Sequence, residues 1–246
     1  MPHAPFSNSH IKTIYLARRN PALSPTAYTI RWREHGALAM GLPIWANMVR
    51  YAQCDMLHEH APAFGASTGY DGVGLVWYRN AAALQAIADK PALRAPLLED
   101  EPKVFDGLVR DFAILTREAI LLDAGYGPIK IIRFIQTEAY PNEKAIAGLL
   151  DKQAAMIAGA AQECAGLCGY RLDFAIGNAY TANSRLPFQL VSELNFRRLD
   201  DAMAARDGGL LVRLDASIKG QREVTLLTLE QPMYDTAASG YEDQTC

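Results

Sequence analysis

Ile11-Lys12-Thr13-Ile14-Tyr15-Leu16-Ala17-Arg18-Arg19-Asn20-Pro21-Ala22-Leu23-Ser24-Pro25 holds a strand, a stop and a helix start in one short run. Ile14, Leu16 and Arg18 fall on one face and Thr13, Tyr15 and Ala17 on the other, which is the period of a strand over Ile11–Arg19. Asn20-Pro21 breaks it. Ser24 is a good N-cap, and Pro25 suits the first helical position because its missing N–H would be unpaired there anyway. The helix is predicted from Pro25 to His35 or beyond, with Gly36 or Gly41 to end it.

Working outward, Met48–Leu57 is rich in strand formers, His58–Gly69 reads as a loop, and Gly72–Arg79 as a strand. Asn80 caps a helix over Ala81–Asp89, a further helical piece lies between Pro91 and Leu108, and Asp111–Leu122 is a strand. The order is β-α-β-β-α-β. Gly125-Tyr126-Gly127-Pro128 is a break, and after it the order starts again: a strand at Ile129–Ile135, a helix over Asn142–Gln162, strands at Tyr170–Gly177 and Phe188–Phe196, a helix from Arg197 to Ala205, and a last strand at Glu223–Leu229. The expected fold is α+β, with two tandem ferredoxin-like repeats, residues 1–124 and 125–246, packed sheet to sheet as a pseudo-dimeric barrel with room for a pocket between the sheets.

Composition limits what the chain can do. Of 246 residues, 50% are hydrophobic and 21% charged, as in an ordinary globular protein. The formal charge is -3 and no basic run is interleaved with aromatics, so nucleic acid is not an expected partner. No apolar stretch approaches the ~20 residues that span a bilayer, and Met1–His10 lacks the features of a signal peptide, so a cytoplasmic protein without a membrane partner is expected. Four cysteines occur without a CxxC pair, which indicates neither a disulfide scaffold nor a thiolate metal site, and Cys164 and Cys168 read as buried thiols. No dinucleotide or phosphate loop is present, so no cofactor is expected.

Ile14 to Arg19, the Ser24-Pro25 helix start and Trp32-Arg33-Glu34-His35-Gly36 together resemble the EthD-like members of the dimeric α+β barrel superfamily. Tyr70-Asp71-Gly72-Val73 leading to Trp77-Tyr78, and Glu99-Asp100-Glu101-Pro102 leading to Phe105-Asp106, resemble that family's later motifs. The second half is similar in element order only. The resemblance implies a barrel built from two sheets, either within one monomeric pseudo-dimeric chain or in a homodimer, and a cofactor-free enzyme for a small organic substrate.

On the first helix Tyr28, Trp32, His35 and Ala39 are spaced to share a face. Spacing alone favours a core pair and a histidine that caps the helix; the resemblance favours His35 as the acid–base group. Asp106 is either its acidic partner or surface charge. His58-Glu59-His60 offers two imidazoles but no evident third ligand, so no metal site is expected; methylmuconolactone methylisomerases, similar in outline, carry a functional histidine in this loop, which makes His58 or His60 a second acid–base candidate. Those enzymes also carry a cysteine where this chain has Leu75-Val76-Trp77, which argues against the same reaction. Tyr15, Tyr28, Trp32 and Trp77 are expected to shape the pocket, and Gln189, Glu193 and Asn195, sharing a strand face, to line it if that face points inward. The second half's first helix has neither Trp nor His at Ala145–Leu150, so one site per chain is expected. The expected function is a cofactor-free lyase or isomerase acting on an aromatic, polyketide-like or lactone-like molecule. A cofactor-independent oxygenase and a non-enzymatic carrier of a hydrophobic metabolite are the alternatives.

Overall fold

The computed structural model describes residues 6, 9–138, 141–176, 184–216, 218 and 220–236. The opening run forms strand β1 (Ile11–Ala17) and helix α1 (Pro25–Met40), with Ser24 Oγ accepting from the Ala27 N–H. β1 stops at Ala17, short of Arg19, because the two arginines leave the ladder: Arg18 donates to the Gly69 carbonyl, and Arg19 bridges to Phe105 and pairs with Asp71. α1 continues through Gly36 to a cap at Gly41. Gly36 serves close approach instead: a Cβ there would stand 2.9 Å from Gln53 Nε2 and 3.1 Å from the Tyr51 ring.

The remaining elements are β2 (Met48–Met56), β3 (Gly72–Tyr78), α2 (Ala81–Ala88), α3 (Ala95–Val104), β4 (Ala113–Asp123), β5 (Ile129–Gln136), α4 (Glu143–Glu163), β6 (Leu167–Ala175), β7 (Leu190–Phe196), α5 (Leu199–Asp207), α6 (Leu210–Asp215) and β8 (Arg222–Asp235). Three departures from the sequence reading have plain causes. β6 begins at Leu167, ahead of Tyr170, since Gly169 stays in the ladder opposite Asn195; Gly177, its expected end, lies outside the described residues. α6 follows the helix expected to end at Ala205, because Gly209 at φ 74° turns the chain into a second helix. β8 runs well past Leu229 because it serves two neighbours, pairing through residues 222–229 with β5 and through 228–235 with β2.

The strands close a barrel in the order β1-β3-β2-β8-β5-β7-β6-β4, every pair antiparallel. Strands of residues 1–124 lie in the order β4-β1-β3-β2 and those of 125–246 in the order β8-β5-β7-β6, joined at the β2·β8 and β4·β6 seams. The room expected between two sheets is taken up by side chains. Ile14, Leu16, Leu75, Phe134, Val191 and Leu226 belong to one apolar cluster drawn from strands all round the barrel.

Beside that cluster lies a layer of charge. Lys12 Nζ donates to Glu118 Oε1 at 2.9 Å, to Asp173 Oδ2 at 3.0 Å and to Glu193, while Lys130 Nζ reaches Glu193 Oε2 at 2.9 Å and Glu230 Oε2 at 2.7 Å. Arg50 pairs with Glu230 across the β2·β8 seam at 2.7 Å, and Arg171 with Glu118 across β4·β6 at 3.8 Å. Burial alone would strip the proton from Lys12, but Asp173, Glu118 and Glu193 outweigh it and hold the ammonium charged. Such a network need not be more stable than an apolar one, yet removing one partner leaves the rest uncompensated.

Candidate functional site

On the outer side of the first half, a cleft opens between β1–β3 and helices α1–α3, with an empty volume of about 720 Å³ counting its open mouth. Ile44, Trp45, Met48, Leu84, Ile87 and Leu97 make its walls apolar. Its polar lining includes His35, Tyr15, Tyr51 and Glu101. The alternation of β1 that predicts a strand also decides this lining: Thr13 and Tyr15 face the cleft, whereas Lys12 and Ile14 face the barrel interior.

His35 sits on the buried face of α1 with Tyr28, Trp32 and Gly36. Its Nδ1 lies 2.9 Å from Asp100 Oδ2 on α3, and its ring stands edge-on to Phe105 at 5.5 Å. Burial would raise Asp100, but the hydrogen bond from His35 and the charge of Arg31, which also pairs with it, hold this carboxyl below its ordinary value. An ionised Asp100 only accepts, so Nδ1 carries the imidazole proton and Nε2 keeps its lone pair, with no partner among the described residues. Burial lowers the His35 pKa below 6.5, which Asp100 only partly offsets. The result is a neutral, oriented imidazole at the wall of an apolar cleft. Glu101, the neighbour of Asp100, accepts from the Val109 N–H at 2.9 Å, and burial raises its pKa above the usual carboxylate value.

A second polar group is built from aromatics. Trp32 Nε1 donates to the Tyr15 hydroxyl at 3.1 Å, the Tyr15 and Tyr51 hydroxyls lie 3.2 Å apart, and Gln53 Nε2 donates to the Tyr51 hydroxyl at 2.6 Å and to the Trp32 carbonyl at 2.9 Å. Arg33 donates to Gln53 Oε1 and so fixes the orientation of that amide. Glycines on β3 make the space: a Cβ on Gly74 would lie 1.8 Å from Tyr15 Cζ, and one on Gly72 would lie 2.7 Å from the Trp32 ring. Burial raises both tyrosine pKa values, so the phenols keep their protons.

Of the predicted residues, the structure brings His35 and Tyr15 together at this cleft. Tyr28 and Trp32 stack at 5.3 Å behind it and act through packing, Trp32 as the donor that steadies Tyr15. Trp77 does not line it. The side-chain period of two sends Trp77 into the barrel, under Lys12 and Arg50 at 4.6 and 4.7 Å, and gives the cleft Val76 and Tyr78 instead. The acid that meets His35 is Asp100 and not Asp106, which lies in a separate surface cleft with Arg18, Tyr70 and Arg185. His58 lines another cleft with Tyr28 and Asp55, its Nε2 3.6 Å from Asp71 Oδ1, and His60 is exposed at the start of a short 3-10 turn. Glu193 and Asn195 do point inward, but into the charged barrel layer, and Gln189 Oε1 accepts from the Thr137 N–H at the barrel end. Tyr51, Asp100 and Glu101 were missed; the one visible signal, the Glu99–Glu101 acid run, reads equally well as a solvated helix start.

Among the described residues, Glu118, Asp173 and Glu193 form the group whose spacing suits a cation, and the Lys12 ammonium already stands among them. Cys54 and Cys168 are buried, Cys164 is half-buried, and all three are free; burial raises the Cys54 thiol.

Solved structures with this arrangement span almost the whole chain. An anthrone oxidase-like protein superposes with a TM-score of 0.59 at 9% identity, covering 94% of this chain and 96% of its own. A candidate monooxygenase from Fusobacterium nucleatum gives 0.57 at 10% identity over 91% and 94%. Chlorite dismutase from Candidatus Nitrospira defluvii, in complex with imidazole, gives 0.54 at 13% identity over 92% and 93%. The fold is that of the dimeric α+β barrel proteins. Within it, residues 20–107 match the EthD domain family. No curated protein sequence matches it. No described helix is long and apolar enough to cross a membrane.

Proposed function

We propose that this chain is a small-molecule enzyme in which His35 Nε2 takes a proton from an aromatic or enolisable substrate held in the first-half cleft. The observation that carries the reading is the His35–Asp100 pair: a neutral imidazole, oriented by a carboxylate, at the edge of an apolar space. Returning that proton to another carbon or oxygen of the same molecule is an isomerase step, and delivering it to an oxygen that departs with the electron pair of its broken C–O bond is a lyase step; neither needs a cofactor. His58, His60 and Asp106 take no part in this reading, since none of them lines the cleft. The like order of strands in the two halves supports a duplicated ferredoxin-like unit, with residues 1–124 bearing the site and 125–246 completing the barrel, so that one chain suffices.

A second reading shares the first step. The neighbours described as anthrone oxidase-like and as a monooxygenase favour an oxygenase in which the deprotonated, electron-rich substrate reacts with oxygen. Both are tested by offering anthrone, an aryl 1,3-diketone and an unsaturated lactone to the protein in D2O, with deuterium uptake followed by mass spectrometry and oxygen by electrode. Exchange faster than buffer, lost in His35→Ala, is expected; oxygen uptake alongside it selects the oxygenase. If His35→Ala exchanges within a factor of a few of the parent, the acid–base reading falls and a carrier role takes its place.

A further inference from the structure

The hydroxyl pair beside His35 has one hydrogen too many for the protein to use. The Tyr15 oxygen accepts from Trp32 and the Tyr51 oxygen from Gln53, whose amide is held in that orientation by Arg33. At most one of the two phenolic hydrogens serves the 3.2 Å contact between the hydroxyls. The other has no acceptor among the described residues, although both tyrosines are almost fully buried, at 4% and 3% exposure, and both line the cleft. A buried donor without an acceptor is costly unless a ligand supplies one. We infer that the Tyr15–Tyr51 pair is a donor site for an oxygen of the bound molecule, and that the substrate is a planar apolar compound carrying a carbonyl or phenolic oxygen. This rests on the proposed function and deepens it. When His35 Nε2 takes a proton from the carbon next to a carbonyl, the C–H electron pair moves to form C=C and the carbonyl pair moves onto oxygen. The spare phenol O–H then bonds that enolate oxygen, and the imidazolium returns its proton to complete the cycle.

The test is binding of 2-naphthol against naphthalene, followed by calorimetry on the intact protein. The parent is expected to prefer 2-naphthol by about tenfold, the worth of one hydrogen bond. Tyr15→Phe and Tyr51→Phe singly each leave one phenol hydrogen over, so each keeps most of the preference. The double variant Tyr15→Phe/Tyr51→Phe loses it while still binding naphthalene, which also shows that it is folded. A double variant that keeps the preference overturns the inference, as does a parent that binds both compounds equally; the second result leaves the cleft and His35 untouched. A parent that binds neither overturns the cleft reading and this one together.

Discussion

His35 on α1 and Gln153 on α4 stand at matched positions along the sequence of the two halves. The offset in sequence that separates Ile11 from Ile129 also separates His35 from Gln153, and each is a buried polar residue on the inner face of its half's first helix. Their neighbours Tyr28 and Trp32 correspond to Ile146 and Leu150. Gln153 has both ends of its amide engaged, Nε2 donating to the Leu214 carbonyl at 2.8 Å and Oε1 accepting from the Tyr170 hydroxyl at 2.6 Å. His35 commits one nitrogen to Asp100 and keeps the other. The matched position is thus structural in one half and, in the proposed function, chemical in the other. What separates them is whether the side chain's hydrogen bonds are all made within the fold.

That contrast can be broken at several points. The largest effect is expected for His35→Ala, which should lower deuterium exchange by roughly 10²–10⁴-fold, whereas Gln153→Ala should leave exchange alone. Next comes Lys12→Met, which strips the cation from three buried carboxylates on strands of both halves. It should cost about 3–5 kcal/mol in urea unfolding, because the penalty is the charge left behind. Gln153→Leu should cost about 1–3 kcal/mol by the same measurement, since the Tyr170 hydroxyl and Leu214 carbonyl lose this partner. Asp100→Asn should move the acidic limb of the pH–rate profile, where His35 becomes protonated, to lower pH, because Asp100 is what raises the His35 pKa against burial.

The smallest effect distinguishes the two positions by titration. His35 is lowered in the folded state, so the unfolded chain binds a proton first as pH falls. The stability this group contributes is whole above its ordinary 6.5 and is lost as the pH drops from there toward the lower folded value. Urea unfolding from pH 7.5 to 5 should show that slope in the parent and a shallower one in His35→Gln. Gln153 does not titrate, so its replacement should leave the slope unchanged.

Much of the barrel was legible because its signals are local. Ser24-Pro25, the alternation of Ile11–Ala17 and the turn at Gly125–Pro128 each act within a few residues, and the EthD motifs lie in one stretch. The misreadings needed knowledge of a distant partner. Trp77 reads as a pocket residue because an apolar aromatic suits either face of β3; Lys12 and Arg50 over its ring mark it as part of the filled barrel interior. Asp100 and Asp106 looked alike in an acidic run, and only the packing of α3 on α1 selects Asp100. β8 looked shorter than it is because its second neighbour, β2, lies far back in the chain.

The seam that β8 closes also orders events in time. Arg50 and Glu230 are 180 residues apart, and Lys12 and Glu193 are 181 apart. At about 5–20 residues per second, the ribosome takes on the order of ten seconds to go from β4 to the end of β8. Throughout that interval the first half has an unpaired β2 edge, and its Lys12 meets Asp173 and Glu193 only once β6 and β7 have been made. The cleft-bearing half is therefore made first and sealed last, and a nascent chain stalled before Arg222 would expose a strand edge that a chaperone could hold or another chain could capture.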